Sequence, residues 1–177
     1  MQSTLLKFLA VILLAVLAYA EPAPLPQFEL LFSGPLLVGE FNPVSGLLGT
    51  RINAPIVGGN VSDAAGNYAA TIIPGPGAEH GVVAADGTFF PDARMTLQWA
   101  VDQRFAYIDA LGVGIAGVRD MFYAHLETDS PTWEYLNNRF IIANLTFGEP
   151  TPIVTFFGIK MDNSSLYTST ALVQQTS

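Results

Sequence analysis

The chain has 177 residues, seven basic against 15 acidic, a formal net charge of −8 and no cysteine. That length suits one domain able to bury a core without staples. The charge excludes phosphate-rich nucleic acid and anionic lipid as partners, since both need clustered Lys and Arg. The lack of Cys excludes disulfides, thiolate metal sites and cysteine nucleophiles, and with only His80 and His125 a three-histidine metal site is excluded too.

Residues 1–20 read as a secretory leader. Lys7 forms a basic start, residues 8–17 are an apolar run too short for a comfortable bilayer span, and Ala18-Tyr19-Ala20 is a small-x-small cleavage signal. An uncleaved signal anchor is the other reading of the same residues. Three sequons, at Asn60, Asn144 and Asn163, fit passage through a eukaryotic secretory pathway. The expected product is a secreted glycoprotein with no membrane attachment in its mature form. Residues 21–26 are a Pro-rich lead-in, residues 27–160 the folded domain, and residues 161–177 a polar tail.

Strand patterns recur through the domain. They are expected at 27–32, 36–40, 51–57, 68–73, 82–85, 93–101, 104–110, 114–118, 121–128, 139–146 and 152–160. Gly34-Pro35, Gly58-Gly59, residues 74–77, Asp86-Gly87 and residues 148–150 supply turn chemistry between them. Met95, Leu97, Trp99 and Val101 alternate with polar or small residues up to the tip at 101–104, and Phe105, Tyr107 and Asp109 share one face of the return arm. Such period-two alternation on both arms is the mark of an antiparallel pair with one face in a core. Residues 132–138, after Asp129-Ser130-Pro131, are the best short-helix candidate. Many short strands, scarce helix and few charges to guard open edges favour an all-β fold, a single antiparallel barrel with at most one or two short helices, over a two-sheet sandwich.

The ordered set of motifs resembles one small family, the domain of unknown function 3237. The matching residues are Phe28-Glu29-Leu30 with Gly34-Pro35, then Arg51 with residues 55–59, residues 73–78, Asp86-Gly87, Asp92-Ala93-Arg94, Glu127-Thr128, Tyr135-Leu136-Asn137 and residues 153–160. The resemblance implies an up-and-down, calycin-like β-barrel with an internal pocket. Fungal members are associated with polyketide tailoring, where some act as cofactor-free cyclases that add a hydroxyl across a carbon–carbon double bond. No metal or cofactor is expected, and the expected partner is a small hydrophobic or aromatic molecule.

That chemistry needs a base, an acid and a shaped apolar wall. Tyr123, His125 and Glu127 lie at i, i+2 and i+4 of one strand and share a face, either a wet lumen wall or a solvated exterior. Asp92 and Arg94 also share a face, as an oxyanion-holding pair or a structural ion pair. Asp109 follows two aromatic residues on its face and is a candidate for a raised pKa, or a strand-end turn residue. Asp92, Arg94, Asp109, His125 and Glu127 are therefore the candidates for proton transfer. Arg51, Trp99, Tyr107, Tyr123, Trp133 and Tyr135 are the candidates for holding substrate, against the plainer reading of the aromatics as core. Residues 112–117 fit Gly-x-Gly-x-x-Gly, but neither a helix nor a parallel β unit follows, so a dinucleotide site is rejected. A second function fits the same leader and sequons: a secreted, lipocalin-like carrier with no turnover.

Overall fold

Alternation of apolar and polar residues dominates the domain, and it builds the sheet that the patterns lead one to expect. The computed structural model describes residues 25–148 and 150–160. The leader, the tail and Asn163 lie outside the described residues. The strands are β1 (Phe28–Val38), β2 (Val44–Gly46), β3 (Gly49–Arg51), β4 (Ala54–Asp63), β5 (Tyr68–Ile72), β6 (Ala78–Glu79), β7 (Val82–Val83), β8 (Thr88–Phe90), β9 (Asp92–Trp99), β10 (Phe105–Ile115), β11 (Arg119–Thr128), β12 (Ile141–Thr146) and β13 (Ile153–Ile159). The expected helix is a short 3₁₀ segment, Glu134–Asn138.

Eight strands close into an antiparallel barrel. In chain order β1, β4, β5, β9, β10, β11, β12 and β13 each pair with the next, and β13 pairs back with β1. The up-and-down expectation therefore holds. The remaining short strands extend one end. β8 pairs with β10 and carries β7, β3 and β2 in turn, while β6 bridges β4 and β9.

Three expected breaks are absent. Gly34-Pro35 lies inside β1, Gly58-Gly59 inside β4, and Leu111 to Val113 inside β10. At Gly59 the reason is close approach: its φ is +134°, and a Cβ there would sit 2.3 Å from the Pro35 carbonyl oxygen on β1. β1 also carries a bulge between Leu30 and Phe32, which turns the consecutive Leu31 and Phe32 inward.

One end of the barrel is filled. Trp99 stacks on Trp133 with ring centroids 5.0 Å apart, and Phe32 meets both rings at 5.4 and 5.1 Å. Trp99 Nε1 donates to Thr128 Oγ1 at 2.8 Å, and Leu136 of the 3₁₀ segment is buried beneath. Trp99→Ala should remove the centre of this plug. Its unfolding free energy should fall by about 3–5 kcal/mol, read as a lower urea midpoint at unchanged m-value.

Candidate functional site

The opposite end is hollow. A cavity of about 240 Å³ opens between the barrel wall and the short-strand extension. Its walls are apolar: Met95, Phe122, Leu145 and Phe156 from the barrel, with Ile52 and Phe89 from the extension. Small residues make the space, since Ala93, Ala110 and Ala143 face inward at this level. An apolar cavity of about 150 Å³ holds one benzene, so this one suits a molecule of one or two fused rings.

Two carboxyl groups reach this cavity, Glu79 and Asp120. Asp120 is fully buried, and both of its carboxyl oxygens lack a hydrogen-bond partner among the described residues. It pairs through its backbone with Gly114, and a Cβ on Gly114 would lie 2.2 Å from Asp120 Oδ1. The missing side chain of Gly114 is thus the room in which the carboxyl sits. Burial pushes the Asp120 pKa up from 3.8 to about 7, and the Glu79 charge adds to the rise. Glu79 is differently held. Its Oε1 accepts from the backbone N–H of Gly81 at 3.0 Å and of Asp92 at 2.9 Å. Burial raises its pKa, the two donors oppose that rise, and the Asp92 charge adds to it.

The other named residues lie elsewhere. On β9 and β11 the apolar set Ala93, Met95, Leu97, Trp99 and the apolar set Phe122, Ala124, Leu126 take the lumen. Asp92, Arg94, Tyr123, His125 and Glu127 therefore point outward: of the two readings open for each, Tyr123, His125 and Glu127 form a solvated exterior, and Asp92 and Arg94 an ion pair. The five candidates for proton transfer do come together, but on the exterior. Arg94, Asp109 and His125 lie side by side across β9, β10 and β11. Arg94 NH1 is 2.9 Å from Asp92 Oδ1, and its Nε is 3.3 Å from Asp109 Oδ1. His125 Nδ1 is 3.5 Å from Glu127 Oε1, with side chains 48% and 66% exposed. None of the five lines the cavity.

The candidates for holding substrate are scattered as well. Trp99 and Trp133 belong to the plug. Tyr107 lines a shallow groove on the outer surface with Glu127, and Tyr123 packs on Phe140 outside. Tyr135 lies under the Arg139 guanidinium, 5.7 Å from ring centre to charge. Arg51 NH1 donates to the His80 carbonyl at 2.6 Å, so it braces the extension.

Sequence reasoning missed both cavity acids. For Asp120 a signal existed. Phe122, Ala124 and Leu126 define the inward parity of β11, and two residues further back that parity lands on Asp120. A strand begun at 121 stops one residue short of it. Glu79 sits on a two-residue strand, where no periodicity can be read.

No model of a known protein family matches the chain, and no curated protein is similar to it in sequence. Solved structures are similar to it in fold. A protein of unknown function from Clostridium acetobutylicum superposes with a TM-score of 0.66 at 20% identity, over 77% of this chain and 100% of that one. A beta-barrel-like protein from Acinetobacter baumannii gives 0.64 at 20%, over 80% and 99%. An enzyme from Penicillium herquei gives 0.62 at 21%, over 80% and 98%. What these proteins share with the chain is the barrel. Fold and cavity together define a small closed β-barrel compatible with binding or tailoring a small molecule.

The raised pKa of Asp120 has a consequence for stability. The folded state holds this proton more tightly than the unfolded chain, so the stabilisation is full below pH 3.8 and lost as pH rises through about 7. Asp120→Asn removes that dependence. In urea titrations from pH 4 to pH 8, the parent should lose stability relative to the variant as pH rises. Parallel curves would mean that Asp120 titrates normally.

Proposed function

We propose that this barrel is a cofactor-free cyclase or isomerase of secondary metabolism, related to the domain of unknown function 3237 proteins. It adds a hydroxyl across a carbon–carbon double bond of an aromatic, polyketide-like substrate held in the lumen. The observation that carries this reading is the Asp120 carboxyl, buried without a partner among the described residues in a cavity whose other lining, Glu79 apart, is apolar. A buried polar group without a hydrogen bond costs free energy, and a purely structural acid would be paired. An acid kept protonated up to near neutral pH is what proton donation to an alkene carbon requires. The barrel shared with an enzyme of Penicillium herquei supports the same reading.

The reaction is an isomerisation, so atoms balance without a co-reactant. Glu79 takes the substrate hydroxyl proton. The oxygen bonds to one alkene carbon as the double bond is consumed, and Asp120 gives its proton to the other. The proton on Glu79 returns to Asp120 through solvent as product leaves, which restores the resting state. Met95, Phe122 and Phe156 hold the ring system and exclude water from the developing charge. Two acids in different surroundings thereby take opposite roles: the one with two N–H donors is the base, and the one with none is the acid.

An ortho-allyl naphthol is a suitable probe, since its ring-closed 2-methyl dihydrofuran carries one stereocentre and can be followed by chiral chromatography. Asp120→Asn and Glu79→Gln should each slow closure by about 10²–10⁴-fold while still binding the probe. Asp92→Asn, Asp109→Asn and His125→Ala on the exterior should stay within a few-fold of the parent. Unchanged closure in both lumen variants would reject the assignment of the two acids. Stoichiometric binding with no ring closure by the parent would point to a carrier instead.

A further inference from the structure

Toward the cavity end, the exterior of β10 to β13 carries an apolar patch where a barrel surface facing water is ordinarily polar. Leu111, Val113, Ile115, Met121, Tyr123 and Ile153 face outward and are 41–55% exposed. The register makes the face continuous: Val113 lies beside Met121, Met121 beside Asn144, and Asn144 beside Thr155. One row along, Leu111 lies beside Tyr123, Tyr123 beside Ile142, and Ile142 beside Phe157. A contiguous apolar patch of this kind ordinarily has something over it.

Asn144 sits in the middle of this face. It opens the sequon Asn144-Leu145-Thr146. Leu145 is buried in the lumen wall, so the two residues that define the sequon project outward together. Asn144 Nδ2 donates to Thr146 Oγ1 at 3.1 Å, and neither side chain is engaged in the core. The second described sequon has other surroundings. Asn60 lies on the outer face of β4 beside Thr71, with Ser62 two residues along.

We propose that Asn144 carries an N-linked oligosaccharide and that this glycan covers the apolar face of β10 to β13. The inference rests on the secretory route expected from residues 1–20, and not on the chemistry of the cavity. The transfer balances. Asn144 Nδ2 bonds to the anomeric carbon of a lipid-pyrophosphate-linked oligosaccharide, and the bond from that carbon to the pyrophosphate oxygen breaks. The amide loses one proton, and the lipid pyrophosphate leaves. Pyranose rings lay their C–H faces on Met121, Tyr123 and Ile142 and turn their hydroxyls to water. A glycan rooted here also excludes a second barrel, which without Lys7 of the leader would bring a further 6 − 15 = −9 of charge against the first.

The test is site occupancy in the full chain, expressed with its own leader in a fungal secretory host and read by peptide mass spectrometry. Asn144 should be occupied. Enzymatic removal of glycan from the folded protein, and separately Asn144→Gln and Thr146→Ala, should then raise binding of the apolar dye anilinonaphthalene sulfonate several-fold. Asn60→Gln should leave dye binding unchanged. An empty Asn144 beside an occupied Asn60 overturns the inference and leaves the secretory route standing, and sedimentation as a dimer would then identify a second copy as the cover. Empty Asn144 overturns the inference; empty sites at Asn60, Asn144 and Asn163 with residues 1–20 still attached overturn the route as well. An occupied Asn144 whose removal leaves dye binding unchanged overturns the covering role.

Discussion

Closure of the sheet between β1 and β13 is the constraint on which the rest of the molecule depends. It pairs Phe28 with Ile159 at one end and Pro35 with Ile153 at the other, reinforced where Ser33 and Thr155 share a hydroxyl hydrogen bond of 2.9 Å. Arg139 ties the same seam, donating to the Ile159 carbonyl and to Glu29. Once eight strands are closed, the interior is just wide enough for side chains. Whether it holds a cavity is then a matter of side-chain volume at each level. Phe32, Trp99 and Trp133 fill one end, while Ala93, Ala110 and Ala143 leave the other open.

That division of volume gives Asp120 its character. The same residue type lies on both sides of the wall. Outside, Asp92 and Asp109 flank Arg94, partly solvated, in a network of the kind that contributes about 0–1 kcal/mol per pair. Inside, Asp120 meets apolar carbon, the backbone of Gly114 and the distant charge of Glu79. No basic side chain lines the cavity beside it among the described residues, and burial favours its neutral form. The wall of the barrel, about one strand thick, separates ordinary surface acids from one whose protonation falls in the range useful for catalysis.

Much of this fold could be read in the chain, and the failures have a common physical cause. The hairpin of β9 and β10 was legible because Met95, Leu97 and Trp99 alternate without interruption. The breaks expected at Gly34-Pro35, Gly58-Gly59 and residues 111–113 were not there, because Gly and Pro permit close strand approach as well as turns. The candidate site was less legible. Polar residues at Tyr123, His125 and Glu127 attract attention, but a barrel gives its lumen to the apolar parity of each strand. The informative residue was the single acid on that apolar parity, Asp120, and it lay one position beyond the edge of the expected strand.

The hollow lumen and the apolar exterior are two sides of one requirement. Strands are favoured by β-branched and aromatic residues, and Ala and Gly are poor strand formers. On β10 to β12 the inward positions include Ala106, Ala110, Gly112, Gly114, Ala124 and Ala143, small residues set between the larger Ile108, Phe122, Leu126, Ile141 and Leu145. Where the inward residue is Ala or Gly, strand preference rests on the other parity. Leu111, Val113, Ile115, Met121, Tyr123 and Ile142 occupy it, and they face out. On β9 the balance is reversed: Met95, Leu97 and Trp99 are inside, and the exterior is Arg94, Thr96 and Gln98. The apolar outer face of β10 to β12 thus lies over wall whose interior is thinned, and a covering there answers the cost of keeping a cavity open behind it.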